Sequence, residues 1–164
     1  MTKSVKHTPR AAFTLVEIMI VVVIIGLLAT IAIPAFKRLA EKSRVTAFAN
    51  DLRTLRSAVE IYNMENADYP ADSSTGTFPP ELAGYVKQNL FDNETPVGGR
   101  WDIEYNDSGI TSGVGVHISP FTERTVKLLL LVDAEIDDGI PETGGFRQLA
   151  NDRYYWVIEP YIEP

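Results

Sequence analysis

A run of 24 residues, Phe13 to Phe36, constrains this chain more than any other feature of its 164 residues. From Ile18 to Ala29 every residue is apolar or Gly, and the run continues through Ile33 to Pro34. As a helix rising about 1.5 Å per residue it would reach about 36 Å, enough to cross a hydrocarbon core about 30 Å thick. A helix apolar on all sides has to be buried all round or sit in lipid, and the remaining chain is too small to wrap it. The run therefore predicts a membrane-inserted helix. One acid interrupts it, Glu17. A carboxylate near the middle of a membrane helix costs roughly 2.5 to 3.5 kcal/mol on insertion scales, so its presence calls for a partner or a cap.

A cleaved secretory signal would show small residues at A-x-A spacing after the apolar core. Here Ala29, Ala32 and Ala35 stand three apart and Pro34 intrudes, so that pattern is absent. Charge does not orient the span. Lys3, Lys6 and Arg10 precede it, and Lys37, Arg38, Lys42 and Arg44 follow, offset by Glu41.

Net charge is −7, and the part after the basic first twelve residues is more acidic still, which argues against nucleic acid as a partner. With no Cys, disulfides, thiolate catalysis and Cys-based zinc sites are excluded. No G-x-S-x-G, H-E-x-x-H or phosphate-binding loop is present. His7 and His117 are the only histidines. His117 alternates with Val116 and Ile118 and reads as an ordinary strand histidine. Nothing in these patterns points to an enzyme.

At the N-terminus the residues Ala12, then Phe13-Thr14-Leu15-Val16-Glu17, then the apolar run, resemble the type IV pilins and type II secretion pseudopilins. The family pattern is a basic leader, a small residue, Phe-Thr-Leu-x-Glu and an apolar helix; Ala12 stands here where Gly is usual. Gly26 and Pro34 fall where family members commonly place a helix-loosening Gly and Pro. The resemblance implies three segments: a leader over 1–12, a transmembrane assembly half-helix over 13–36, and a periplasmic globular domain over 37–164. It implies cleavage between Ala12 and Phe13 by a prepilin peptidase, methylation of the Phe13 amine, and an inner-membrane subunit that joins a homo- or hetero-filament. It also implies that Glu17 pairs with a neighbouring subunit's N-terminus, the ammonium recovering much of the cost of the acid. Two other readings stay open: Glu17 capping its own helix, and a signal-anchored binding module that never assembles. The missing Cys pair favours the secretion pseudopilus over the pilus.

Beyond Pro34 the pattern changes. Val45, Phe48, Leu52, Leu55, Val59 and Tyr62 recur at alternating steps of three and four, an apolar stripe on one helix face. A single helix from Phe13 to about Met64 is expected, ended by Asn66, Asp68 and Pro70. Residues 71–80 read as a loop and Glu81 to Gln88 as a short helix. Strands are expected over Trp101–Tyr105, Val114–Ser119 and Arg153–Glu159. Thr122 to Asp138 reads as a helix, with Ser119-Pro120 as N-cap and first position and Gly139 as its stop. The fold class is α+β: a long N-terminal helix packed on a small antiparallel sheet. After the helix, Asp133, Glu135, Asp137, Asp138 and Glu142 crowd near glycines. The EF-hand template fails, because Gly falls at the seventh position from Asp133. Hard oxygen ligands on a turn, and the calcium site that major pseudopilins carry in a C-terminal loop, make Asp133, Asp137 and Asp138 candidates for Ca²⁺.

Overall fold

The computed structural model describes residues 13–161. The chain divides into two compact units, Met1–Ala40 and Glu41–Pro164. The proposed leader, including Ala12, lies outside the described residues.

Helix α1 runs Leu15–Asn66 and contributes to both units. Within the first unit its large apolar side chains face outward, Leu15 at 82% and Leu28 at 63% exposure. It is long and apolar enough there to cross a membrane. Pro34 lies inside the helix and removes one backbone donor. α1 ends where Ala67 turns to φ +54, its amide donating to the Asn63 carbonyl at 2.8 Å. A left-handed residue there closes the last turn.

The second unit holds a four-stranded antiparallel sheet: β1 (Arg100–Asp107), β2 (Ile110–His117), β3 (Phe146–Ala150) and β4 (Arg153–Pro160), ordered β1-β2-β4-β3. β1 and β2 form a hairpin in which Asp107 opposes Ile110. The two residues between them, Ser108 at φ +54 and Gly109 at φ +78, suit the positive-φ turn that matches strand twist. Helix α2 (Glu123–Ile136) connects β2 to β3.

The stripe on α1 does what its spacing predicts. Phe48, Leu52, Leu55 and Val59 are fully buried in one core with Trp101 and Ile103 of β1, Val114 and Val116 of β2, and Leu128, Leu129 and Val132 of α2. Phe48 stacks on Trp101 with ring centroids 4.8 Å apart, and Phe146 meets Phe48 edge-on at 6.4 Å.

Four local expectations change. β3 was not foreseen: "FRQLA" is short, carries Arg147 and Gln148 at its centre and pairs on one side only, so its sheet membership comes from β4. β2 begins earlier and ends at His117, carrying glycines at 113 and 115 that strand propensity disfavours. Residues 81–88 are not an α-helix. They hold 3₁₀ turns at Pro80–Leu82 and Gln88–Leu90, with Gly84 at φ +99 breaking any longer helix. The N-cap of α2 is Thr122, whose hydroxyl accepts from the Thr125 amide; Ser119 precedes a cis peptide bond to Pro120 instead.

Gly115 is set by close approach. A Cβ there would lie 2.1 Å from the Tyr154 carbonyl oxygen and 2.7 Å from Tyr155. Gly115→Ala is expected to cost about 3 kcal/mol or more, the upper end for a forced overpacking, read as a large fall in the midpoint of denaturant unfolding of the second unit's tryptophan signal.

Candidate functional site

In the first unit, Thr14 sits just before α1 and Glu17 in its first turn. The Thr14 amide donates to Glu17 Oε2 at 2.9 Å, and the Thr14 hydroxyl donates to the same oxygen at 2.8 Å. The Glu17 amide in turn donates to Thr14 Oγ1 at 3.2 Å. This is the reciprocal capping box of a Thr-x-x-Glu sequence, which satisfies helix-end amides that otherwise lack partners. Both contacts use Oε2, so Oε1 is left for another donor. Glu17 therefore caps its own helix, as one of the two sequence readings expected. Gly26 lies on the same helix with nothing within 4 Å of a Cβ built there, so its smallness answers no contact within the chain.

The second candidate is the acidic end of α2. Asp133 occupies the last turn, and Asp137 follows at the C-cap, its amide donating to the Asp133 carbonyl at 2.7 Å. Asp137 Oδ2 accepts amides from Gly145 and Phe146 at 2.6 and 2.8 Å. Asp138 Oδ1 accepts the Ile140 amide at 2.8 Å, and its Oδ2 accepts the Thr143 hydroxyl at 2.6 Å. Those bonds hold the Asp138 carboxyl below the usual carboxylate range. Gly144 is needed here, since a Cβ would fall 2.1 Å from Asp137 Oδ2 and its φ is +72.

The three acids come together as the sequence suggested: one carboxylate oxygen from each lies within 4.8 Å of the others. Asp133 is only 1% exposed, and neither of its oxygens has a hydrogen-bond partner. A buried, unpartnered carboxylate is expensive unless a cation meets it. Burial, then the charges of Asp138 and Asp137, push Asp133 up to about 6. Hard oxygens converging on an orphaned acid suit Ca²⁺ better than a softer metal. Glu135, also in the acidic run, is not among the converging ligands.

A third polar group was not foreseen. Asp102 and Glu104 alternate on β1 with the core residues Trp101 and Ile103, so they point to the sheet's other face. There the Tyr155 hydroxyl lies 2.6 Å from Asp102 Oδ2 and 3.0 Å from Glu104 Oε1. Arg153 donates to Glu104 Oε1. Glycines 113 and 115 on the intervening strand leave Tyr155 room to cross it. His117 is not an isolated strand histidine: Nε2 is 2.6 Å from Asp152 Oδ2, and Nδ1 is 2.9 Å from the Thr75 hydroxyl. Thr75 also donates to Asp102 Oδ2 at 3.0 Å. The only sequence signal was two acids at alternate positions of an otherwise core strand.

Comparison with known proteins bears on the N-terminal site. The family model described as the prokaryotic N-terminal methylation motif matches residues 8–33. Type II secretion system core protein G of Pseudomonas aeruginosa is 36% identical over 62 residues, covering 38% of this chain and 44% of that protein. The protein of the same name from Escherichia coli is 35% identical over 86 residues, 48% of this chain and 59% of its own. Fimbrial protein EcpC of Eikenella corrodens is 28% identical over 105 residues, 64% and 69%. The chain thus spans about half the length of the first of these relatives. No solved structure matches.

The motif and the α+β architecture define a class, the proteins with a methylation-type N-terminus ahead of a long helix and a small antiparallel sheet. Within that class, the relatives this chain is similar to are named as type II secretion system core proteins and fimbrial proteins.

Asp133 makes a testable contribution. Its folded-state pKa lies above its unfolded value, so the native state binds the extra proton. The penalty for ionising it is therefore fully present above about pH 6 and relieved as pH falls toward 4. That shift corresponds to about 3 kcal/mol. In EDTA near neutral pH, Asp133→Asn is expected to raise the melting temperature of the full chain, and the gain is expected to vanish at acid pH. An unchanged melting curve at neutral pH would contradict the buried-charge account.

Proposed function

We propose that this chain is a structural subunit of a type II secretion pseudopilus or type IV pilus, working by helix packing in the membrane rather than by catalysis. The observation that carries the reading is the outward-facing apolar helix of the first unit with a single acid in its first turn, inside the matched methylation motif. The relatives named as secretion core proteins support the pseudopilus, as does the absence of cysteine.

On this reading residues 1–12 are a leader, and a prepilin peptidase cuts between Ala12 and Phe13. The new Phe13 amine is methylated. Residues 13–36 anchor the subunit in the inner membrane by one span, and 37–164 form the periplasmic domain. Glu17 then has two jobs in sequence. In the unassembled subunit it caps α1 through Thr14. In the filament Oε1 receives a neighbour's N-terminal ammonium, so a subunit out of register leaves a charge unpaired in lipid. Gly26 and Pro34 weaken the helix between them, which allows it to extend as subunits pack.

Asp133, Asp137 and Asp138 would hold a Ca²⁺ ion, which would neutralise the buried acid and tie the end of α2 to the turn before β3. Asp137 and Asp138 already fix that turn through the amides of Gly145, Phe146 and Ile140.

Mass spectrometry of the membrane-extracted protein is expected to find a mature chain starting at Phe13 with one added methyl. A lone charge left in lipid is costly, so Glu17→Ala is expected to lower incorporation into filaments at least about a hundredfold without preventing cleavage. Thr14→Val, which removes the cap and keeps the acid, is expected to assemble. Normal incorporation of Glu17→Ala would overturn the pairing.

A further inference from the structure

His117 ends β2 among groups brought from several segments. Register sets Arg100 of β1 on one side of it and Arg153 of β4 on the other. Asp152 Oδ2, in the turn before β4, lies 2.6 Å from Nε2. The Thr75 hydroxyl, from the segment between α1 and β1, lies 2.9 Å from Nδ1. Glu94 lines a cleft of about 340 Å³ beside the ring, together with Thr75, Arg100 and Ser119. Thr75 reaches on to Asp102 Oδ2 at 3.0 Å, so the contacts run in one line, Asp152–His117–Thr75–Asp102.

The protons of this line can be counted. Each hydrogen bond needs one, and an ionised carboxylate only accepts. Asp152 therefore receives the Nε2 proton. Asp102 receives the Thr75 proton; the Tyr155 hydroxyl, 2.6 Å from the same oxygen, also marks that oxygen as an acceptor. The Thr75 hydroxyl then has nothing left to give, so the middle contact forms only when Nδ1 carries a proton as well. The ring supplies both protons only as the imidazolium. A neutral ring leaves one contact with two acceptors face to face. The outer contacts end on carboxylates and are the stronger, so Thr75–His117 is the one that fails.

We propose that His117 is a pH-sensitive latch: as the imidazolium it holds residues 73–77 against β1 and β2, and on losing its second ring proton it loosens them. Histidine is the side chain that ordinarily changes charge between about pH 5 and 8. Arg100 and Arg153 oppose the imidazolium, while Asp152, Glu94 and Asp102 favour it, and Arg153 is already bonded to Glu104. Among the described residues, one backbone bond ties this segment to the sheet, the Gly76 amide donating to the Trp101 carbonyl at 2.8 Å. The bonds of Ser73 Oγ to the Thr77 carbonyl and of the Thr77 amide to the Ser74 carbonyl stay within the segment. Gly76, next to Thr75, thus reports on the latch. The device is independent of filament assembly and of the acids at the end of α2.

The test is NMR of the ring nitrogens and of amide hydrogen exchange, on the full-length chain in detergent micelles, between about pH 5 and 8. The His7→Gln variant separates the two histidine signals. At the acid end both ring nitrogens of His117 are expected to be protonated and the Gly76 amide protected. As the ring loses a proton, Gly76 exchange relative to its intrinsic rate is expected to rise roughly tenfold, the worth of one hydrogen bond. Asp152→Asn, which takes the charge from the turn, is expected to move that rise to lower pH. Thr75→Val is expected to show the raised exchange at every pH while the ring still titrates. Gly76 protection that stays constant across the His117 titration would overturn the latch and mean that Asp102 holds a proton of its own. A rise that follows pH equally in Thr75→Val would overturn it too.

Discussion

The second unit depends on the burial of one face of α1 against the sheet. Phe48 stacked on Trp101 is the centre of that contact, with Leu52, Leu55 and Val59 extending it along the helix and Phe146 and Leu129 closing it from the sheet edge and α2. Stacked and edge-on rings add to the area they bury. Once this face is occupied, β1 must present Trp101 and Ile103 to it, and Asp102 and Glu104 are carried to the opposite face by the alternation of the strand. The buried acids therefore follow from the packing of the core.

That opposite face is managed by polar groups. Glycines at 113 and 115 remove side chains from β2, and Tyr155 lies across the space to reach both acids. Arg153, Thr75 and His117 extend the network to Asp152. Each of these bonds crosses between segments distant in sequence. Such networks are demanding: full satisfaction rigidifies them, and one unpartnered oxygen is a large cost. Asp102 Oδ1 and Glu104 Oε2 are unpartnered, as are both oxygens of Asp133. The second unit thus leaves buried carboxylate oxygens unpartnered in two places, at the end of α2 and on the face of β1 away from the core.

The N-terminal site is built differently. Thr14 and Glu17 are three residues apart, and their bonds are local to one helical turn. The same acid that caps the helix in a single chain has an oxygen to spare for a cation from outside. A cap and an intermolecular pair are compatible because a carboxylate has two oxygens and about four acceptor sites.

Local interactions were legible in the sequence. The length and uniformity of the apolar run and the steps of three and four from Val45 to Tyr62 each act within a few turns, so they specified α1 and its buried face; a cap by Glu17 was one of the open readings, and the structure supplied Thr14 as its partner. α2 was readable from its length, and Asp133, Asp137 and Asp138 from their nearness along the chain. Tertiary structure decided what depends on a partner elsewhere. β3 is a strand because β4 pairs with it, glycine-bearing β2 is held by neighbours on both sides, and Asp102 and Glu104 became a site only when Tyr155, Arg153 and Thr75 were folded onto them. A helix turn closes its own hydrogen bonds, whereas a strand edge or a buried acid is satisfied only by groups the chain brings from far away.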